Sequence, residues 1–220
     1  MMRRNPSNRL APLVSAATAP AQRRLIGLLL VLLLIAQIDQ PYPEVALLQH
    51  IPTMLLIVAA PPLLRRWPLS TASVACIVAF MALHTLGGRY AYSNVPYDDW
   101  ARALTGGSFS DAFGWTRNHY DRLVHFAFGA LSVVPVAEIV RRWGGLGPRG
   151  AAIAVLGWVL AISCLYEIFE WLLTIVAAGE TADRYNGQQG DIWDAQKDMA
   201  LATLGAILVM AMGPIVRNRS

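Results

Sequence analysis

Charge is scarce in this chain, lysine is nearly absent and cysteine is rare. Asp, Glu, Lys and Arg together make up 15% of its 220 residues, where a soluble domain carries about 25%. Hydrophobic residues reach 55% and the mean hydropathy is +0.44. A soluble fold of this length cannot hide so much apolar surface, and a disordered chain would not carry it. Two cysteines, Cys76 and Cys164, exclude a disulfide scaffold. Both fall inside apolar runs at different depths, where they read as small core residues. Of the 18 basic residues, Lys197 is the only lysine. The net charge of +4 and a pI near 9.4 are compatible with nucleic-acid binding. The arginines, however, flank apolar runs, where they act as topology signals, so no nucleic-acid partner is expected. The glycine-rich run GGLGPRG at 144–150 has no strand before it and reads as a turn.

What the chain does have is six apolar stretches of membrane-spanning length, about 20 residues each. They run roughly over 23–38, 44–64, 69–87, 119–140, 150–174 and 191–216. Pro52 predicts a kink in the second. No small-residue cleavage site follows the first, so it is read as a retained anchor and not a signal peptide. The expectation is an all-α, polytopic membrane protein with one six-helix domain over 23–216. A disordered tail occupies 1–22 and a short tail 217–220.

Orientation follows from the arginines. Arg3, Arg4, Arg9, Arg23, Arg24, Arg65, Arg66, Arg141, Arg142, Arg149, Arg217 and Arg219 fall on one side of a six-span chain. Of the 14 acids, only Glu138 lies near that side. The positive-inside rule then predicts both termini in the cytoplasm. The connection 88–118, on the other side, is rich in Gly, Tyr, Trp and Asp and shows no evident helical pattern. It reads either as a functional loop or as an interfacial flap whose aromatics sit among the headgroups.

Ionisable residues inside spans are costly and mark candidate sites. Here they gather at one depth, toward the outer ends of the helices. His84 lies in span three and His50 at a comparable depth in span two. Asp121 and His125 stand one turn apart in span four. Ser163, Tyr166, Glu167, Glu170 and Thr174 stripe span five. Asp191, Asp194 and Asp198 share a face of span six. The catalytic candidates are Asp121, His125, Glu167, Glu170, Asp194 and Asp198. His84, Arg89, Tyr97, Asn118, Arg122 and Lys197 are candidates for binding substrate. Six acids face three nearby cations, Arg89, Arg122 and Lys197. Buried carboxyls in that ratio must stay protonated, take a divalent cation or face water. A metal would fall to His125, Glu167, Glu170 and Asp194, with oxygen donors favouring Mg²⁺, Ca²⁺ or Mn²⁺ and the imidazole admitting Zn²⁺. The alternative is structural. Asp121, Asp191 and Asp194 suit helix N-termini and His125 suits an interhelical strut.

The segments HTLGGRYAYSNVPYDDW (84–100), RNHYDRLVHFAFG (117–129), LYEIFEW (165–171) and YNGQQGDIWDAQKDMALATLGA (185–206) resemble the YjdF-like family of bacterial inner-membrane proteins. The resemblance covers most of the chain from about residue 25 and implies a multi-pass inner-membrane protein without implying a reaction. A second pattern resembles the VanZ-like proteins. It comprises Asp121 with His125 and Phe126, then Glu167, then Asp194 and Ala202. Glu170 stands where that pattern has Gln, and Asp198 where it has Asn, which makes this chain more anionic. Three functions are compatible with these residues. One is a metal- or acid/base-assisted enzyme acting on a lipid or lipid-linked substrate, whose phosphate Arg89, Arg122 and Lys197 would hold. The second is a proton-coupled transporter or flippase, for which no inverted repeat is visible. The third is a structural or accessory membrane protein. No complete catalytic signature such as H-E-x-x-H is present.

Overall fold

The computed structural model describes residues 18–176 and 189–213. The expected tails, with Arg3, Arg4, Arg9, Arg217 and Arg219, lie outside those residues except at 18–22, and Arg184 lies outside them too. Among the described residues there are eight helices and no strand. Six are long and apolar enough to cross a membrane. These are α1 (Pro20–Gln37), α2 (Pro43–Arg66), α3 (Thr71–Arg89), α6 (Tyr120–Arg142), α7 (Pro148–Val176) and α8 (Asp194–Met212). They coincide with the six expected spans to within a few residues. Residues 20–22, expected in the disordered tail, are helical, because Pro20 opens α1 in its first turn, where the missing amide costs nothing. Helix α2 runs unbroken past Pro52, Pro61 and Pro62.

The connection between α3 and α6 corrects the sequence reading. It holds two short helices, α4 (Tyr97–Thr105) and α5 (Phe109–Phe113). Asp98 and Asp99 sit in the first turn of α4, where acids favour the helix dipole. The Ser108 hydroxyl accepts from the Asp111 amide at 3.0 Å to cap α5. Both helices stop at a left-handed glycine, Gly106 (φ 80) and Gly114 (φ 65), a conformation that other residues rarely adopt. Trp100, Phe109, Phe113 and Trp115 remain exposed along this stretch.

The six long helices pack as two groups of three, and α3 against α6 joins them. Leu29, Leu64, Val74, Val78 and Met81 form the core of α1, α2 and α3. Val133, Val136, Val155, Val159, Ala202 and Ala206 form that of α6, α7 and α8. Helices α6 and α8 approach at backbone distance. A Cβ added to Gly129 would strike the Ala202 carbonyl, and one added to Gly205 would strike the Phe126 carbonyl. Small residues permit such contact inside a bilayer, where tight packing and not hydrophobic burial drives association. The opposite faces stay apolar and exposed, as with Leu34 on α1, Val58 on α2 and Ile153 on α7.

Polar contacts fix which helix ends lie together. The Glu138 carboxylate, near the end of α6, accepts from the Ser70 amide at 2.8 Å and from the Ser70 hydroxyl at 2.7 Å. It also receives the Ser73 hydroxyl. The acid expected near the arginine-rich side thus serves as a remote cap for α3, with its charge at the favourable dipole end. Arg142 donates to the Pro68 carbonyl at 2.6 Å at the same end. At the opposite end Arg89 donates to the carbonyls of Ala36 (3.0 Å) and Ile38 (2.7 Å), closing the C-terminus of α1.

Candidate functional site

The site lies where α6, α7 and α8 meet at the end that carries the α3–α6 connection. Asn118 fixes the start of α6. Its side-chain oxygen accepts from the Tyr120 amide at 2.9 Å, and its side-chain nitrogen donates to the Val95 carbonyl at 2.9 Å. Its backbone exchanges two hydrogen bonds with the Gln189 side chain, at 2.9 and 3.0 Å. One residue therefore ties the connection, the lead-in to α8 and the first turn of α6. Tyr97 braces the same corner, its hydroxyl accepting from the His119 amide at 2.9 Å.

The ionisable residues divide into two layers. The outer layer is an ion-pair network. Asp194 accepts from Arg117 at 2.6 Å and lies 3.4 Å from Arg122. Asp191 accepts from Lys197 at 2.6 Å and from Arg122, and lies 3.5 Å from Arg117. The Lys197 ammonium, the Trp193 amide and the Arg122 guanidinium hold the Asp191 carboxyl down at about 2. Burial, with Arg122 and Arg117 nearby, pushes the His119 imidazole below its ordinary value. Asp194 is 5% exposed and matched by two guanidiniums. It is therefore engaged as an ion-pair acceptor.

The inner layer contains little compensating charge. His125 Nε2 lies 3.7 Å from Asp121 and 3.6 Å from Glu167. Both separations are too long for hydrogen bonds. Asp198, one helical turn below Asp194 on α8, joins this group. One ligand atom each from Asp121, His125 and Asp198 can be chosen so that all three lie within 4.8 Å of one another. All three residues are buried. Asp198 Oδ1 and Glu167 Oε1 have no hydrogen-bond partner. Glu170, also buried, is hydrogen-bonded with Tyr166, one turn earlier on α7.

Beside this layer is a cavity of about 190 Å³. It is lined by the apolar side chains of Pro52, Phe80, Met81, Val124, Phe128 and Ile162, with His84, Tyr92, Asp121, His125, Ser163 and Tyr166 among them. His84 Nε2 donates to the Gln49 carbonyl at 2.7 Å, and its Nδ1 is hydrogen-bonded with the Tyr92 hydroxyl, so both ring nitrogens are engaged. His50 is held the same way, donating to the Thr85 carbonyl at 3.1 Å and accepting from Gln37 at 2.9 Å. It is an interhelical strut.

The remaining candidates are placed as follows. Arg89 is engaged with the end of α1 and so does not join the acids. Lys197 and Arg122 border a second, open groove of about 590 Å³ with Trp115, His119, Phe126 and Leu201. Thr174 turns back to the Trp171 carbonyl at 2.6 Å. Cys76 and Cys164 are free thiols. Sequence reasoning missed Arg117 as a site residue. Its signal was its place four residues before Asp121, just outside the span. Tyr92 was missed as well, because it belongs to no span.

The family described as "Predicted membrane protein (DUF2238)" matches residues 21–219. The Escherichia coli (strain K12) protein named "Inner membrane protein YjdF" is 37% identical over 146 residues, 65% of each chain. The match thus spans just under two thirds of that relative's length. No solved structure matches. The VanZ-like resemblance rests on the residue pattern alone. With six apolar membrane-spanning helices and an inner-membrane relative, the protein is a multi-pass inner-membrane protein in contact with the lipid bilayer. It belongs to the DUF2238 family of membrane proteins, of which YjdF is a relative.

Proposed function

We propose that this protein is a membrane enzyme that uses acid–base chemistry on a lipid or lipid-linked substrate at the extracytoplasmic face. The observation that supports this reading is the position of His125. Its Nε2 faces two carboxyls, Asp121 at 3.7 Å and Glu167 at 3.6 Å, and the residue lines a cavity that is otherwise largely aliphatic and aromatic. A largely apolar lining with ionisable groups set in it fits an amphiphile, with its acyl portion against Phe80, Phe128 and Ile162 and its reacting polar group beside His125. In this reading His125 takes a proton from the substrate or an attacking water. Asp121, 3.7 Å from its Nε2, balances the charge that forms on the ring. Glu167, 3.6 Å from the same nitrogen, receives or returns the proton. Ser163, whose Oγ is buried without a hydrogen-bond partner, offers a donor to the substrate. The network of Arg117, Arg122, Asp191 and Asp194 keeps the first turns of α6 and α8 in register.

The test is a lipid profile. Inner membranes from cells making the wild type are compared by mass spectrometry with membranes from cells making His125→Ala at equal abundance. A lipid or lipid-linked species depleted by the wild type and restored in the variant is the expected result. Identical profiles from both would contradict the reading.

A further inference from the structure

The inner layer poses a charge problem that the outer layer does not solve. Arg117, Arg122 and Lys197, the basic side chains at this end of α6 and α8, are all turned toward Asp191 and Asp194. Among the described residues, Asp121 has no ion pair except the long one to His125. Asp198 is 2% exposed, and among the described residues it makes no ion pair and its Oδ1 has no hydrogen-bond partner. A buried carboxylate left in this way is strongly disfavoured unless a cation or a proton meets it.

We propose that Asp121, His125 and Asp198 hold a divalent cation, with Glu167 as a fourth donor. This goes beyond the acid–base reading and uses the same side chains differently: with an ion on His125 Nε2 the ring takes up no proton there, so the acid–base roles above belong to the ion-free site. Three observations carry it. First, the donor atoms converge. His125 Nε2 is 3.6 and 3.7 Å from oxygens of Glu167 and Asp121, and Asp121, His125 and Asp198 each offer an atom inside a 4.8 Å spread. Metal–ligand bonds of about 2.1 Å place neighbouring donors roughly 3.0–3.4 Å apart, so Asp121, His125 and Asp198 must draw in from their spread of up to 4.8 Å to close on an ion, with Glu167 reaching it from beside His125. Second, these donors do not satisfy one another. Their separations exceed hydrogen-bond lengths, whereas Glu138, Asp191 and Asp194 elsewhere in the same protein all make bonds below 3 Å. Third, the site has an independent polar neighbour. Ser163 comes from a different helix, α7, is 2% exposed, and its Oγ also lacks a partner where it faces the cavity beside His125 and Asp121. That hydroxyl belongs to the same cavity lining as Asp121 and His125. Carboxylate oxygens with one imidazole and no thiolate favour an ion of the Mn²⁺ or Zn²⁺ class over soft Cu(I).

The set differs from the one that sequence spacing nominated. Asp194 is paired with arginine and Glu170 is engaged with Tyr166. Asp121 and Asp198 take their places.

The test uses the full chain in lipid nanodiscs, stripped with chelator and titrated with Mn²⁺ while the free ion is followed by electron paramagnetic resonance. One Mn²⁺ per chain is expected, displaceable by Zn²⁺, and pulsed spectra of the bound ion should show nitrogen modulation from the imidazole. Asp198→Asn and His125→Gln should each weaken binding at least tenfold, and His125→Gln should also remove the modulation. Glu138→Gln, at the far end of α6, should bind as the wild type does. Wild-type protein that takes up no stoichiometric Mn²⁺ overturns the proposal, whatever the variants do. Bound Mn²⁺ without nitrogen modulation overturns it too, as does undiminished binding in Asp198→Asn. Because no lipid substrate enters the measurement, its outcome is separate from that of the lipid profile.

Discussion

Asp191 and Asp198, seven residues apart on the face that opens α8, have opposite environments. Asp191 sits among Lys197, Arg122 and Arg117 and its carboxyl is held at about 2, below the ordinary 3.8. A carboxyl whose folded value is lowered stabilises the fold above its unfolded value. That contribution is lost as pH falls from about 4 toward 2. Thermal unfolding in detergent should therefore show the wild type losing stability across that window, with a shallower loss in Asp191→Asn. Equal slopes in the two proteins would show that the network around Asp191 does not form. Asp198 has no such partners, and that contrast is what makes it a candidate ligand. Spacing alone put Asp191, Asp194 and Asp198 on one face. It could not say which arginine each would meet, because Arg117 and Arg122 reach them from more than sixty residues away in sequence. The partners of Arg89 were hidden for the same reason. Its choice of the α1 carbonyls over the acids depends on how α1 packs against α3.

At the scale of elements, the long helices were legible because about 20 apolar residues leave the backbone no alternative in lipid. Helices α4 and α5 were not. They are nine and five residues long, and their signals are caps and left-handed glycines, not an apolar period. The pairing of α6 with α8 was only half visible. Ala202, Gly205 and Ala206 put small residues on α8, but nothing in the sequence names Gly129 as the opposing surface. The energetic weight of that crossing can be read directly. Gly129→Ala forces a methyl group onto the Ala202 carbonyl, and overpacking of this kind costs about 1–3 kcal/mol. Gly157→Ala on α7, where nothing lies within 4 Å of the added atom, should be neutral or slightly stabilising. Unfolding of both variants in mixed micelles checks this. A Gly129→Ala protein as stable as the wild type would mean that α6 and α8 do not approach so closely.

For the whole molecule, the arginine bias gives an orientation that packing does not. The end holding Arg65, Arg66, Arg141, Arg142 and Arg149 should face the cytoplasm, which puts the α3–α6 connection and the candidate site on the far side. Reporter fusions after Gly107 and after Ser220 test this. Alkaline phosphatase should be active at Gly107 and inactive at Ser220, and the reverse pattern would invert the membrane account. The exposed aromatics of the connection, Trp100, Phe109, Phe113 and Trp115, would then lie at the outer headgroups beside the site, where an amphiphile must pass to reach the cavity.

That passage is the most direct point of attack on the account. A phospholipid carrying a photoreactive group on its acyl chain, reconstituted with the purified protein and irradiated, should label cavity-lining peptides of α3, α6 and α7, including Phe80, Phe128 and Ile162. Ser163→Trp, which fills the cavity from α7, should abolish that labelling and leave labels on the lipid-facing surfaces of α1 and α2 unchanged. Labelling confined to those outer surfaces in the wild type, or cavity labels that persist in Ser163→Trp, would contradict the claim that an amphiphile meets His125 inside the bundle.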